Sequence, residues 1–187
     1  MRKLIPFVLF LFVSYGAVHA AEPGYAFIEA GAIDIDAKTS ELESDGWFAG
    51  FSLGFKHFHI PGQYSKTSGS GGVGDTKKWN VGVGWHGLFG ERADLVIEAS
   101  YLDVRIDTSD GRVNDDGLLA SGGVRWRIIK IFEINGFVDY VDLSDRGSDT
   151  GWRANMLFNI GPVGIGLGYQ SMDADIASAY LRWNFGR

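Results

Sequence analysis

Side-chain character alternates with period two through most of this chain, and residues 79–85 show it most plainly. There Trp79, Val81, Val83 and Trp85 share one parity, and Asn80, Gly82, Gly84 and His86 the other. Successive side chains of a strand point to opposite faces, so one face is aliphatic with a Trp at each end. The same alternation recurs in ten segments: 25–35, 46–55, 58–65, 78–87, 94–103, 115–127, 132–141, 151–160, 163–169 and 176–185. The first is the weakest, because Ala26 and Ile28 oppose Phe27 and Ile33. Pro61 should bulge the third or leave it locally unpaired, since it has no N–H to give a ladder.

The connections between these segments alternate in length. Those at 56–57, 88–93, 129–130 and 161–162 are short. Those at 36–45, 66–77, 104–114 and 142–150 are longer and polar and read as loops; 171–175 is a moderate one. Short turns on one side, long connections on the other and an even strand count are the pattern of a transmembrane barrel. The expected fold is all-β: a closed antiparallel up-and-down transmembrane β-barrel of ten strands, with its N-terminus periplasmic.

The aromatic residues test that topology. On the apolar parity Trp47, Tyr64, Trp79, Tyr101, Tyr140, Trp152 and Tyr169 fall at the external strand ends. Phe55, Phe58, Trp85, Trp126, Phe132, Trp183 and Phe185 fall at the periplasmic ends. Val, Ile, Leu and Ala dominate between them. Two aromatic girdles around an aliphatic belt are what two membrane interfaces require. A soluble lipocalin-type barrel would show the same alternation turned inside out. It has no reason to sort aromatics into two end bands, to put glycine at mid-strand on its polar face, or to balance the charges there.

The chain has 187 residues and opens with Met1-Arg2-Lys3, an apolar run from Leu4 to Val13, and Ala17-Val18-His19-Ala20. This reads as a secretory leader of residues 1–20 for the Sec pathway, followed by one domain at 21–187. The apolar run is too short to span as a helix, and no later run is long enough. The net charge of −6 becomes −8 once Arg2 and Lys3 leave with the leader, which argues against nucleic acid as a partner. There is no cysteine, so no disulfide is available.

Nine charged residues are expected inside: Glu29, Lys56, Glu98, Arg125, Arg127, Glu133, Asp139, Arg153 and Arg182. Enclosed charges must pair. Strand order suggests Glu29 with Arg182 across the closing seam, Asp139 with Arg153, Glu133 with Arg127, and Glu98 with Arg125. Such a network braces a narrow barrel, whose interior is mostly filled, or lines an ion path.

Candidate chemistry is sparse. His57 lies in a short turn, and His59 and His86 face inward near the same end, so no His reaches a long loop. A rim hydrolase or a His-liganded loop metal site needs one there. No catalytic residue, metal site or cofactor is therefore expected. The external connections are rich in aspartate: Asp36, Asp45, Asp107, Asp110, Asp115, Asp116, Asp145, Asp149, Asp173 and Asp175. Asp107-Thr108-Ser109-Asp110-Gly111 is a partial calcium-loop pattern without the later bidentate Glu. A solvated acidic rim that meets lipopolysaccharide through divalent cations explains these residues more simply.

The runs Gly24-Tyr25-Ala26-Phe27-Ile28-Glu29-Ala30-Gly31, Asp45-Gly46-Trp47, Phe58-His59-Ile60, Gln63-Tyr64-Ser65 and residues 79–85 carry a resemblance. With them the chain resembles a proteobacterial family of small outer-membrane barrels, one member of which was described as a quorum-sensing and immunity-eliciting factor. More loosely it is similar to the OmpA/OmpX-like superfamily. The resemblance implies a ten-stranded barrel of the Gram-negative outer membrane without established chemistry. The chain departs from the pattern at its end: Gly186-Arg187 follows Phe185, displacing the terminal aromatic that the barrel-assembly machinery reads. Two functions stand as expectations: a structural or narrow porin-like barrel, and a surface interaction protein whose acidic loops bind lipopolysaccharide or a host partner.

Overall fold

The computed structural model describes residues 24–37, 43–69, 74–89, 92–108 and 111–185; the leader expected at 1–20 lies outside them. The strands are β1 (Phe27–Ala37), β2 (Glu43–Phe55), β3 (Phe58–Gly69), β4 (Asp75–Leu88), β5 (Ala93–Thr108), β6 (Gly111–Ile129), β7 (Phe132–Leu143), β8 (Gly147–Ile160), β9 (Val163–Ser171) and β10 (Ala174–Asn184). Each pairs antiparallel with its sequence neighbours, and β1 also pairs with β10, closing the barrel. Closure removes the sheet edges, so no row of unpaired backbone groups remains. At the seam Glu29 lies opposite Arg182 and Ile28 opposite Trp183.

Alternation sets what faces where. Ile28, Leu53, Val81, Val83, Ile97, Leu118, Val138, Met156, Ile165 and Leu167 point outward and are exposed. Arg125, Glu133, Asp139 and Arg182 point inward and are buried. The barrel is thus apolar outside and charged within, the reverse of a lipocalin. Several inward glycines sit under a neighbour's ring. A Cβ on Gly166 would come 2.1 Å from Tyr180 Cζ, and one on Gly84 would come 2.2 Å from His59 Cε1.

Boundaries at one end follow expectation closely. Turns at 56–57 and 161–162 are tight, with Lys56 at φ 46° and Gly161 at φ 61°. The turn expected at 129–130 sits one residue later, after a ladder irregularity between Arg127 and Ile129. Pro61 produces no bulge: β3 and β4 keep one register from His59 opposite Gly84 to Gly62 opposite Val81, but Ile60 and Pro61 have no ladder partners there. The first strand begins at Phe27 rather than Tyr25.

The other end corrects the loop assignments. Residues 104–108 and 111–114 are strand rather than loop: β5 and β6 stay paired out to Thr108 opposite Gly111. β3 runs on to Gly69 and β4 starts at Asp75, and β7 and β8 close on a turn at 144–146. An antiparallel ladder satisfies its own backbone groups, so charged residues on both faces stay extended in water. Lys77 and Arg112 clasp Asp107 at 3.0 and 2.6 Å. Asp115 is a further correction. It is inward and buried, with Arg146 at 3.8 Å and its Oδ1 accepting the Asp145 N–H.

Candidate functional site

The lumen is the site. At its tight-turn end the residues before β1 fold across the opening. Tyr25 is 8% exposed, stacks on His86 at 3.6 Å and 12°, and donates its hydroxyl to Asp94 Oδ2 at 3.0 Å. The Arg125 guanidinium lies 4.8 Å from the Tyr25 ring centroid and donates to the Gly24 carbonyl at 3.3 Å. Sequence reasoning missed this plug, because a segment with no partner strand carries no periodic signal. Asp94 was findable: it shares the parity of Glu98.

Arg125 also forks onto Glu133, Nε to Oε1 at 2.5 Å and Nη2 to Oε2 at 3.2 Å. The expected partner, Arg127, lies directly opposite Glu133 in the ladder and is half-buried. Arg125 reaches Glu133 diagonally, because a long side chain spans the spacing between residues two positions apart on adjacent strands, and it is the more enclosed of the two arginines. Phe48, Leu157 and Tyr180 pack together beside this pair, with Leu157 0% exposed.

At the seam Arg182 Nη2 lies 2.7 Å from Glu29 Oε2, and its guanidinium rests 3.9 Å from the Phe27 ring centroid. On the facing side Arg153 Nη2 reaches Glu98 Oε2 at 3.1 Å, a contact from β8 to β5 across the lumen. Its Nε is 3.2 Å from Asp139 Oδ2, within ion-pair range but without hydrogen-bond alignment. Ser121 donates to the other Asp139 oxygen at 2.6 Å, and His59 Nε2 lies 2.9 Å from Glu98 Oε1. So Glu98 meets Arg153 and His59, not the Arg125 expected from sequence. Lys56 is a second correction: it occupies an exposed turn, not the lumen.

An open cavity of about 450 Å³ runs along the lumen, lined from Tyr25 and His59 at the tight-turn end to Ser65, Lys78 and Ile106 at the hairpin end. One wall is a polar ladder from β3 and β4, with Gln63 opposite Asn80, Ser65 opposite Lys78, and Thr67 opposite Thr76. Beside it the inward face of β5 contributes Val104 and Ile106.

Outside, Trp47, Tyr64, Trp79, Tyr101, Tyr140, Trp152 and Tyr169 are exposed toward the hairpin end. Three neighbouring pairs among them touch: Trp47–Tyr64, Trp79–Tyr101 and Trp152–Tyr169, each with ring centroids 5.4 Å apart. Toward the tight turns Phe55, Phe58, Trp85, Trp126 and Phe185 are exposed, and Phe132 and Trp183 half-buried. His57, His59 and His86 cluster at the tight-turn end. Among the described residues no group of three or more His, Asp or Glu is arranged to hold a metal ion.

Beyond the outer aromatics, hydrogen bonds from Arg112 and then Lys77 hold the Asp107 carboxyl well down, to about 2. Because its folded value is depressed, the pairing contributes above the ordinary carboxylate range and is lost as pH falls through about 2. A carbon-detected titration should place the Asp107 midpoint there. In R112Q it should rise toward the ordinary value of about 3.9; no movement would mean that Arg112 does not hold it.

No family model matches the chain, and no curated protein matches it. Solved structures do. The chain is similar to the KdgM porin at 10% identity, covering 86% of this chain and 99% of that one, with a TM-score of 0.48. It is similar to the N-terminal β-barrel domain of Pseudomonas aeruginosa OprF at 14% identity, 87% and 100% coverage and a TM-score of 0.49. It is also similar to Neisserial surface protein A at 10% identity, 85% and 96% coverage and a TM-score of 0.42. At these values the assignment of a closed ten-stranded antiparallel β-barrel stands on the chain's own ladders.

Proposed function

We propose that this chain is an outer-membrane β-barrel whose charged, mostly filled lumen forms a narrow porin-like path. The observation that carries the reading is the inverted barrel itself. Aliphatic side chains face outward all the way round between two rows of aromatics, while arginines and carboxylates pair inside. A soluble monomer rarely exposes more than a few hundred Å² of contiguous apolar surface, whereas this belt is what hydrocarbon would cover. In this orientation the tight turns are periplasmic and the extended hairpins external. Outer-membrane lipid and lipopolysaccharide are then its immediate partners, and the barrel-assembly machinery its route in.

Conductance of refolded protein in planar bilayers tests the path. Wild-type protein should show small current steps, because Tyr25 and the Glu98–Arg153 contact narrow the lumen. Y25A should enlarge them by removing the plug. Silence from both at every voltage would defeat the pore reading.

The surface-interaction reading has one observation of its own. In the ladder Asp36 lies opposite Asp175 on β10. Like charges set directly opposite cost stability, and magnesium-bridged lipopolysaccharide would relieve them. D36N/D175N should then lose the gain in thermal stability that wild type shows on adding both.

A further inference from the structure

The inward charges are almost all internally neutralised. Glu29 has Arg182, Glu133 has Arg125, Glu98 and Asp139 share Arg153, and Asp115 has Arg146. Lys78 differs. It is exposed to the cavity, and among the described residues no carboxylate pairs with it. Its neighbours Lys66 and Lys77, on the outward face, both have aspartate partners.

Lys78 also sits in a built setting. It is the middle of the polar ladder: Ser65 is directly across, Gln63 and Asn80 form the rung below, and Thr67 and Thr76 the rung above. These are hydroxyls and amides that both donate and accept, spaced along two strands. The β5 residues opposite Lys78 and Thr76 are Val104 and Ile106, so an apolar wall borders the ladder. Together they offer one cation, a row of hydrogen-bonding groups, and a flat surface for C–H faces.

We propose that this ladder is a binding site for small polyhydroxylated carboxylates entering from the hairpin end, with Lys78 receiving the carboxylate. The hydroxyls replace their water hydrogen bonds on Gln63, Ser65, Thr76 and Asn80, and the carbon skeleton lies against Ile106. The site rests on the porin-like reading for its orientation toward the outside, but occupancy does not need current to flow. A salt bridge in so wet a site adds little, so millimolar affinity is expected, and losing the charge should weaken it on the order of two- to fivefold.

The test uses the refolded chain in lipid nanodiscs, with amide NMR spectra followed during titration with gluconate and with sorbitol, its neutral analogue. Gluconate should shift the amides of 63–67 and 76–80 more strongly than sorbitol does. The preference should disappear in K78Q and K78E and persist in K77Q, which removes an outward charge one residue away. Equal shifts from the two probes, shifts confined to other strands, or an undiminished preference in K78E would overturn the assignment. If binding holds while planar bilayers stay silent, the pore reading fails and the site stands; if current flows without the gluconate preference, the reverse is true.

Discussion

R125A is expected to cost the barrel about 3–5 kcal/mol of unfolding free energy, the penalty for removing one partner from a buried ion pair. The carboxylate left behind, Glu133, is 1% exposed and already receives both arms of the Arg125 fork. Unlike a surface pair, it has no water to turn to. Urea unfolding in lipid vesicles measures the loss. The double variant R125L/E133L is the control, because replacing both ions of the fork with apolar groups leaves no carboxylate short of its arginine and should recover part of the stability. A loss below about 1 kcal/mol in R125A, the range of an exposed pair, would show that the lumen is wet at this level. The same arginine holds Gly24 and faces Tyr25, so R125A should also loosen the plug and enlarge any current.

V83R is expected to lose about 2–4 kcal/mol, the cost of a cation near the bilayer midplane. Val83 is 65% exposed on β4 between Trp79 and Trp85, with nothing inside the protein for a new arginine to meet. T150R, on the same outward face but beyond Trp152, should lose only about 0–1 kcal/mol, since the penalty fades at the interface. The same vesicle unfolding assay compares them. Equal costs would mean that depth does not matter and that no hydrocarbon surrounds the barrel.

The period-two pattern was enough to read strand number, face and order, because the parity of a strand decides at once which residues meet the interior. The seam pair Glu29–Arg182 was legible for the same reason: closure of first strand on last places them on one rung. What alternation does not encode is reach. Arg125 and Arg127 share a parity, and the fork of Arg125 onto Glu133 is a diagonal contact that parity alone does not predict. Glu98 was matched with a cation of similar depth, but Arg153 crosses the lumen to it. The hairpin ends were misread because charge was taken as the mark of a loop. Ladder hydrogen bonds do not depend on side-chain polarity, and Asp107 between Lys77 and Arg112 belongs to strands that outrun the apolar belt. Tyr25 was invisible as a plug because its partners, His86, Asp94 and Arg125, come from three different strands.

Contact between lipid and one parity of side chains is tested most directly by spin-label scanning of β4. The chain has no native cysteine, so single cysteines at positions 78, 79, 80, 81, 83 and 85 can each carry a label in vesicles. Oxygen, which concentrates in hydrocarbon, should relax the labels at 79, 81, 83 and 85 and spare those at 78 and 80, which face the cavity, with a water-soluble nickel chelate failing to reach the odd set. Odd positions open to the chelate, or no alternation at all, would contradict a barrel bathed in lipid.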